Sequence, residues 1–338
     1  MSSYDGILNI NKPQGWTSHD VVAKVRRLLG QRQVGHAGTL DPLATGVLLV
    51  CAGQATRVSE YLMAGQKVYR AVARLGVTTD TYDIDCEITS RSPVPALSRA
   101  DLLAVLTSFI GALLQRPPAY SAIKQAGVPA YRKARRGEAV ELPARPVTIH
   151  GIELLDVPGA SEAPGTWGDQ LTLEVTCDPG TYIRSLTHDL GQALGCGAVL
   201  IQLTRLRSGQ FTVEDASDLD ELIADAATGD LARHLHPLRA ALYDLTAVPV
   251  DAAASQRLQH GQAIPCTENT QMTADWNRGF SRFVDQREKP AEASNPPSQQ
   301  TICRADVGYA LEADGTVRAI LTYDAATSLW RPHKVFAT

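Results

Sequence analysis

A chain of 338 residues has room for about two domains at roughly 150 residues each, and for a sizeable core. Its 44% hydrophobic and 20% charged content, with 26 glycines and 19 prolines, excludes disordered, collagenous and coiled-coil classes. With 32 lysines and arginines against 36 acidic residues the net charge is −4, so a polyanion would have to be held by local basic patches rather than by overall attraction.

In chain order, Gly6 to Ile10 reads as a buried strand, and Ser18 caps a helix whose Val21, Val22, Val25, Leu28 and Leu29 follow the 3.6-residue period until Gly30 ends it. A long loop from Gln31 to Thr45 leads into an apolar strand, Gly46 to Cys51, and a helix around Ala55 to Met63. Strands follow at Val68 to Leu75, Ile149 to Leu155 and Leu171 to Cys177. Ser98 and Asp101 open a helix through Leu114, Thr181 to Leu194 is another helix, and Ala198 to Leu203 is again a strand. Strict β-α-β alternation is absent, so the expected class is α+β, built on a large, mainly antiparallel sheet. Between 214 and 230 there are seven acidic residues and no lysine or arginine, which suits a solvated helical face. Beyond Pro249, strand-like pieces at Arg304 to Leu311, Val317 to Thr322 and Trp330 to Phe336 predict a small β-rich domain. The polar stretch from Cys266 to Gln300 reads as a mobile insertion in it.

The six cysteines, at positions 51, 86, 177, 196, 266 and 303, form no C-x-x-C pair and read as reduced thiols. No apolar run approaches the ~18 residues of a membrane span, and the expected location is the cytoplasm. Phosphate-loop, dinucleotide, zincin and hydrolase-elbow patterns are all missing, which favours a reaction without cofactor or metal.

The loop Gly35-His36-Ala37-Gly38-Thr39-Leu40-Asp41-Pro42-Leu43-Ala44-Thr45-Gly46 gathers a histidine, an aspartate and glycines between a basic helix and a buried strand. Pro42 restricts Asp41 to an extended backbone, so its carboxylate can be held rigidly at a cleft edge; a plain Asp-Pro turn has the same spacing. Arg116 to Gly137 carries Arg116, Lys124, Arg132, Lys133, Arg135 and Arg136 with Tyr120 and Tyr131 interleaved and no acidic residue before Gly137. That is the footprint of nucleic-acid binding, although a solvated basic helix has the same composition. In Asp178-Pro179-Gly180-Thr181-Tyr182-Ile183-Arg184 a strand turns into a helix, placing Arg184 where it could meet a carboxylate or make a surface ion pair. Tyr69 lies in a strand, where packing is the commoner role.

Taken together, these segments resemble the TruB family of tRNA pseudouridine synthases. The resemblance runs in order through Lys12-Pro13-Gln14-Gly15-Trp16-Thr17-Ser18, the Gly35 to Gly46 loop, Tyr69-Arg70, Gly180 to Arg184 and Leu203-Thr204-Arg205-Leu206, covering about residues 5 to 213. It implies a pseudouridine synthase fold over 1–244 and a PUA-like RNA-binding domain over 245–338, which Gly261, Gly308, Asp314-Gly315 and Arg331-Pro332 fit loosely. The polar insertion at 266–300 departs from a compact domain of that kind.

The resemblance further implies isomerisation of uridine-55 in the tRNA T-arm loop without a cofactor. Asp41 would be the catalytic aspartate, either attacking the substrate or removing a sugar proton, and Arg184 its partner. Tyr69 would stack on the uracil and take the C5 proton, with Leu203 closing the opposite face. His36 would occupy the space vacated by the flipped nucleotide, Tyr182 would support the pocket, Lys12 the neighbouring loop, and Lys124 and Arg132 would meet the RNA. A non-catalytic RNA-binding protein would not need Asp41. A guide-RNA-dependent synthase would carry basic extensions that this chain lacks, so no guide RNA and no obligate protein partner are expected.

Overall fold

The computed structural model describes residues 4–121, 123–125, 127–155, 168–266 and 307–336. Within these, the chain divides into two compact units, one of Leu8–Val50 with Glu60–His234, the other gathering 4–7, 51–59 and the described part of 235–336.

The larger unit is organised by one mixed sheet. Its elements in chain order are β1 (Gly6–Lys12), α1 (Ser18–Leu29), β2 (Val34–His36), β3 (Thr45–Ala52), α2 (Ser59–Ala64), β4 (Lys67–Leu75), β5 (Val77–Thr79), β6 (Ile88–Arg91), α3 (Arg99–Thr107), β7 (Gly111–Gln115), β8 (Lys124–Gln125), β9 (Val128–Pro129), α4 (Ala130–Ala134), β10 (Arg145–Leu155), β11 (Gln170–Cys177), α5 (Ile183–Ala193), β12 (Ala198–Ser208), β13 (Phe211–Thr212), β14 (Ser217–Asp218) and α6 (Leu219–Thr228). The strand order is β14-β1-β3-β12-β4-β11-β10-β7. From β12 to β7 every pairing is antiparallel, while β12 meets β3 in parallel. This is the expected α+β class on a mainly antiparallel sheet. The interior strands are apolar on one face or on both: β3 is buried from Gly46 to Ala52, and β11 buries Leu171, Leu173, Val175 and Cys177 in strict alternation.

Three elements differ from the sequence expectation, each for a local reason. Thr17, not Ser18, caps α1: its side chain accepts from Asp20 N–H and Asp20 bonds back to the Thr17 N–H. This frees the Ser18 hydroxyl to bridge both main-chain polar groups of Leu40. The helix expected through Leu114 ends at Thr107, because Gly111 at φ +108° turns the chain into β7, which pairs with β10. The Ala55 to Met63 helix is a 3-10 turn, Gly53–Val58, followed by α2.

The smaller unit contains β15 (Leu235–His236), β16 (Thr246–Pro249), α7 (Ala252–Gln259), β17 (Ile264–Pro265), β18 (Val307–Leu311), β19 (Val317–Asp324) and β20 (Leu329–Val335), and its last five strands form a sheet ordered β16-β18-β19-β20-β17. Its core contains Val248, Leu258, Ile264, Leu321 and Trp330. The expected strand start at Arg304, Cys303 and all of the 266–300 insertion beyond Cys266 lie outside the described residues. Among the described residues no helix is long and apolar enough to cross a membrane, and Cys51, Cys86, Cys177 and Cys196 are free thiols.

Gly46 is the tightest point between β3 and β12. Its φ is +91°, and a Cβ there would lie 2.3 Å from the Arg205 carbonyl oxygen. Gly46→Ala should therefore lower the melting temperature by at least ~2 °C in a circular-dichroism melt, since left-handed strain alone costs about 1–3 kcal/mol. An unchanged melt would mean that the β3–β12 contact relaxes without cost.

Candidate active site

Three neighbouring strands carry the centre of the site. The Asp41 loop runs directly into β3; β12 beside it carries Leu203 and Arg205; β4 beyond carries Tyr69. Register places Leu203 opposite Ala71 and Arg205 opposite Tyr69, so all three side chains lie on one face of the sheet. The loop is pinned along its length: Ala44 N–H donates to Asp41 O at 3.0 Å, Gly15 N–H to Pro42 O at 2.8 Å, and the Thr45 and Thr204 hydroxyls meet at 2.9 Å.

Arg184, on the first turn of α5, is 5% exposed, and its Nε lies 2.9 Å from Asp41 Oδ2. The Nε–H is not aimed along that line, so the contact is an ion pair and not a linear hydrogen bond. The rest of the guanidinium is fully engaged: Nη1 donates to Thr81 O at 3.2 Å and Asp83 Oδ2 at 3.4 Å, and Nη2 to Tyr120 O at 2.9 Å. Asp83 is held in turn by the Thr81 hydroxyl at 2.8 Å, in a turn where Tyr82 takes φ +64° and stacks on His188 at 3.9 Å. Asp41 remains the open end of this network, with its side chain 38% exposed against 12% for Asp83.

Lys12 is fully buried beneath the loop and donates to the carbonyls of Pro13 at 2.9 Å, Trp16 at 2.6 Å and Pro42 at 3.4 Å. Burial pushes its pKa down to about 8, against the opposing pull of Asp41. Tyr182 caps α5 and is clamped by Gln115, which accepts from its N–H at 2.8 Å and donates to its carbonyl at 3.0 Å; burial raises the phenol's pKa. Ser185 donates to Arg116 O at 2.8 Å, so the root of the basic segment is tied to the same helix as Arg184.

The structure thus gathers Asp41, Arg184, Tyr69, Leu203, Lys12 and Tyr182 about one centre. His36 lies on β2, edge-on to His19 at 5.4 Å, and its buried Nδ1 has no hydrogen-bond partner among the described residues. Lys124 and Arg132 are exposed, on the β8–β9 hairpin and on α4, and make no described contact with Asp41. Arg132 and Arg135 stand over the Tyr131 ring at 6.0 and 5.7 Å.

Two residues without an assigned role in the sequence reading are central here. Asp83 sits in a turn that no motif flags. Arg205 was legible in principle, since it occupies the inward phase of an apolar strand where a charge is out of place.

Among the described residues, Glu221, Asp225 and His234 have the spacing of a metal-ligand group. Arg233, however, already contacts Asp225 at 2.6 Å and Glu221 at 3.0 Å, and His234 lies 2.5 Å from Asp225. The acidic 214–230 stretch is thus partly neutralised on its own surface.

Burial, with the charges of His19 and Arg205 alongside, pushes the His36 pKa down from 6.5 to about 4. A folded-state value below the unfolded one gives stability that is complete above about pH 6.5 and lost as pH falls to about 4. Urea melts of the parent and of His36→Asn should therefore diverge in slope between those pH values, the parent losing more stability on acidification. Parallel curves would place His36 in water.

Residues 26–183 match the family described as "TruB family pseudouridylate synthase (N terminal domain)", and residues 184–243 match "tRNA pseudouridylate synthase B C-terminal domain". The chain is 46% identical over 260 residues to tRNA pseudouridine synthase B of Thermobifida fusca (strain YX), covering 77% of this chain and 86% of that protein. With the protein of the same name from Ralstonia nicotianae it shares 44% over 260 residues, 77% of this chain and 81% of the relative. In fold it is similar to a chain of an H/ACA RNP bound to a substrate RNA containing 2′-deoxyuridine (TM-score 0.67, 24% identity) and to one of a Cbf5-Nop10-Gar1 complex (TM-score 0.66, 24% identity). Each match covers 98% of this chain and 85% of the other. The fold is that of the pseudouridine synthases, and the chain belongs to the TruB family.

Proposed function

We propose that this protein converts uridine-55 in the T-arm loop of tRNA to pseudouridine, with Asp41 as its catalytic aspartate. The observation that carries the reading is the 2.9 Å contact between Asp41 Oδ2 and an Arg184 whose other nitrogens are all committed to the protein. A guanidinium held that firmly cannot follow the carboxylate, so it fixes where the carboxylate points. The relatives named tRNA pseudouridine synthase B support tRNA as the substrate.

The reaction breaks the C1′–N1 bond, turns the uracil and joins C1′ to C5, with no change of oxidation state. Asp41 starts the cleavage. Tyr69, half-buried on β4, stacks on the uracil and takes the C5 proton late in the sequence, and Leu203 closes the opposite face. Extruding the nucleotide costs a few kcal/mol, and His36, neutral at pH 7, fills the space left behind without bringing a charge into the RNA stack. Lys12 holds the loop from beneath and Tyr182 supports the pocket wall. Lys124 and Arg132 contact phosphates, and so does the β-rich unit of 245–338 in its PUA-like role. The protein acts on tRNA alone, without a guide RNA, a cofactor or an obligate protein partner, and works in the cytoplasm.

Purified protein, incubated with EDTA and a tRNA transcript or an isolated T-arm stem-loop, should yield pseudouridine at position 55 when the product is mapped by mass spectrometry. Asp41→Asn should abolish product while leaving RNA affinity within about tenfold, a change of ~1.4 kcal/mol. Turnover by that variant at a few per cent of the parent rate would remove Asp41 from the chemistry, and product at another position would refute the assigned site.

A further inference from the structure

Arg205 is 1% exposed, and none of the ion pairs among the described residues involves it. Its Nε donates to Val47 O at 2.6 Å, and Nη2 and Nη1 to Gly38 O at 3.2 Å and Thr39 O at 3.5 Å, so the guanidinium is tethered to both ends of the Asp41 loop. Backbone carbonyls orient a buried cation without neutralising it. Directly across the strand pair stands Tyr69, within hydrogen-bonding reach.

We propose that Arg205 is a positioning residue for Tyr69, orienting its oxygen and lowering the cost of forming the phenolate that removes the C5 proton. This rests on the role given to Tyr69 above. In the step, the C5–H bond breaks and its electron pair forms the C5–C6 double bond. The π pair of the C6=N1 double bond moves onto N1, which takes a proton from water, the C6–N1 single bond staying intact. The C5 proton joins the phenolate oxygen, giving the neutral phenol, which returns its proton to the hydroxide left by that water.

The groups around Tyr69 are opposed. On balance they raise the Tyr69 pKa: burial works against the phenolate most, with the Cys177 thiol from β11 and the Asp41 carboxylate from the loop on the same side, and Arg205 from β12 works against that rise. Lys67, two residues back on β4, is buried in the same cluster and donates to Leu62 O at 3.1 Å. With the guanidinium on the tether that also holds the loop, the Tyr69 oxygen and the Asp41 carboxylate are set from a single anchor.

The test uses the full-length protein with Arg205→Lys, Tyr69→Phe and the double variant, each checked by a circular-dichroism melt. Single-turnover rates are measured at saturating T-arm stem-loop, from pH 6 to 10, with uridine carrying hydrogen or deuterium at C5. Arg205→Lys should slow the reaction at least tenfold at pH 7.5, move its rise with pH to higher pH, and show a deuterium effect above twofold. The double variant should be within twofold of Tyr69→Phe, because both changes act on one oxygen. The proposal is overturned if the two effects multiply, or if Arg205→Lys loses rate with unchanged pH profile and isotope effect, which would leave Arg205 as a loop tether only. Parent-like turnover by Tyr69→Phe would instead refute the role of Tyr69 itself. Should Arg205→Lys fail to fold, Arg205→Gln takes its place, and failure of both assigns the guanidinium to stability and overturns the proposal.

Discussion

Burying the Arg184 guanidinium is the constraint around which the rest of this molecule is arranged. A buried cation costs several kcal/mol unless charges and acceptors meet it, and here they arrive from three separate stretches of chain: Asp41, the Thr81–Asp83 turn and Tyr120. Each is distant in sequence from Arg184, so the Arg184–Asp41 ion pair forms only when the whole sheet has closed. Asp83 takes the inner side and leaves Asp41 as the exposed carboxylate. Two acids thus share one base, and the difference in their burial decides which of them can meet a substrate.

A second consequence is electrostatic. The net charge of −4 says nothing of the centre, where Arg184, Arg205, Lys12 and Lys67 are all buried within one unit. Asp41 and Asp83 are the carboxylates paired there, on Arg184, while Glu221 and Asp225 of α6 pair with Arg233, and Asp225 also with His234. Positive charge is thereby kept where a phosphate chain would approach, and the overall acidity serves solubility without cancelling it.

The parts of this architecture legible in the sequence were those with short-range signatures. The glycine-framed Asp41 loop, the strand-to-helix turn before Arg184 and the alternation of β11 are each written within a dozen residues. The arrangement of strands was not, because β3 reaches β12 only through a partner about 150 residues away, and no local pattern encodes that pairing. Local signals also failed where two compete. Ser18 and Thr17 are both able caps, and the choice falls to Thr17 because the Ser18 hydroxyl is needed at Leu40. Apolar Leu113 and Leu114 extend a helical period into what is a strand, since Gly111 overrides it. Lys12, expected to support the neighbouring loop, is a fully buried donor to the nearby carbonyls of Pro13 and Trp16 and to that of Pro42, and only the last of these contacts depends on the fold.

The parallel contact of β3 with β12 and the antiparallel contact of β12 with β4 set the width of the site. The Asp41 loop and Tyr69 are separated by two ladder spacings, roughly 10 Å, fixed by backbone hydrogen bonds and not by side chains. Substitution at the rim can change what lines the cleft but not how far apart its walls stand. Even a slip of register would leave that spacing unchanged, and would instead turn Leu203 and Arg205 to the other face together. The gauge of the cleft is therefore insulated from ordinary point mutation, and sequence drift is directed into its lining and into the surfaces that approach it.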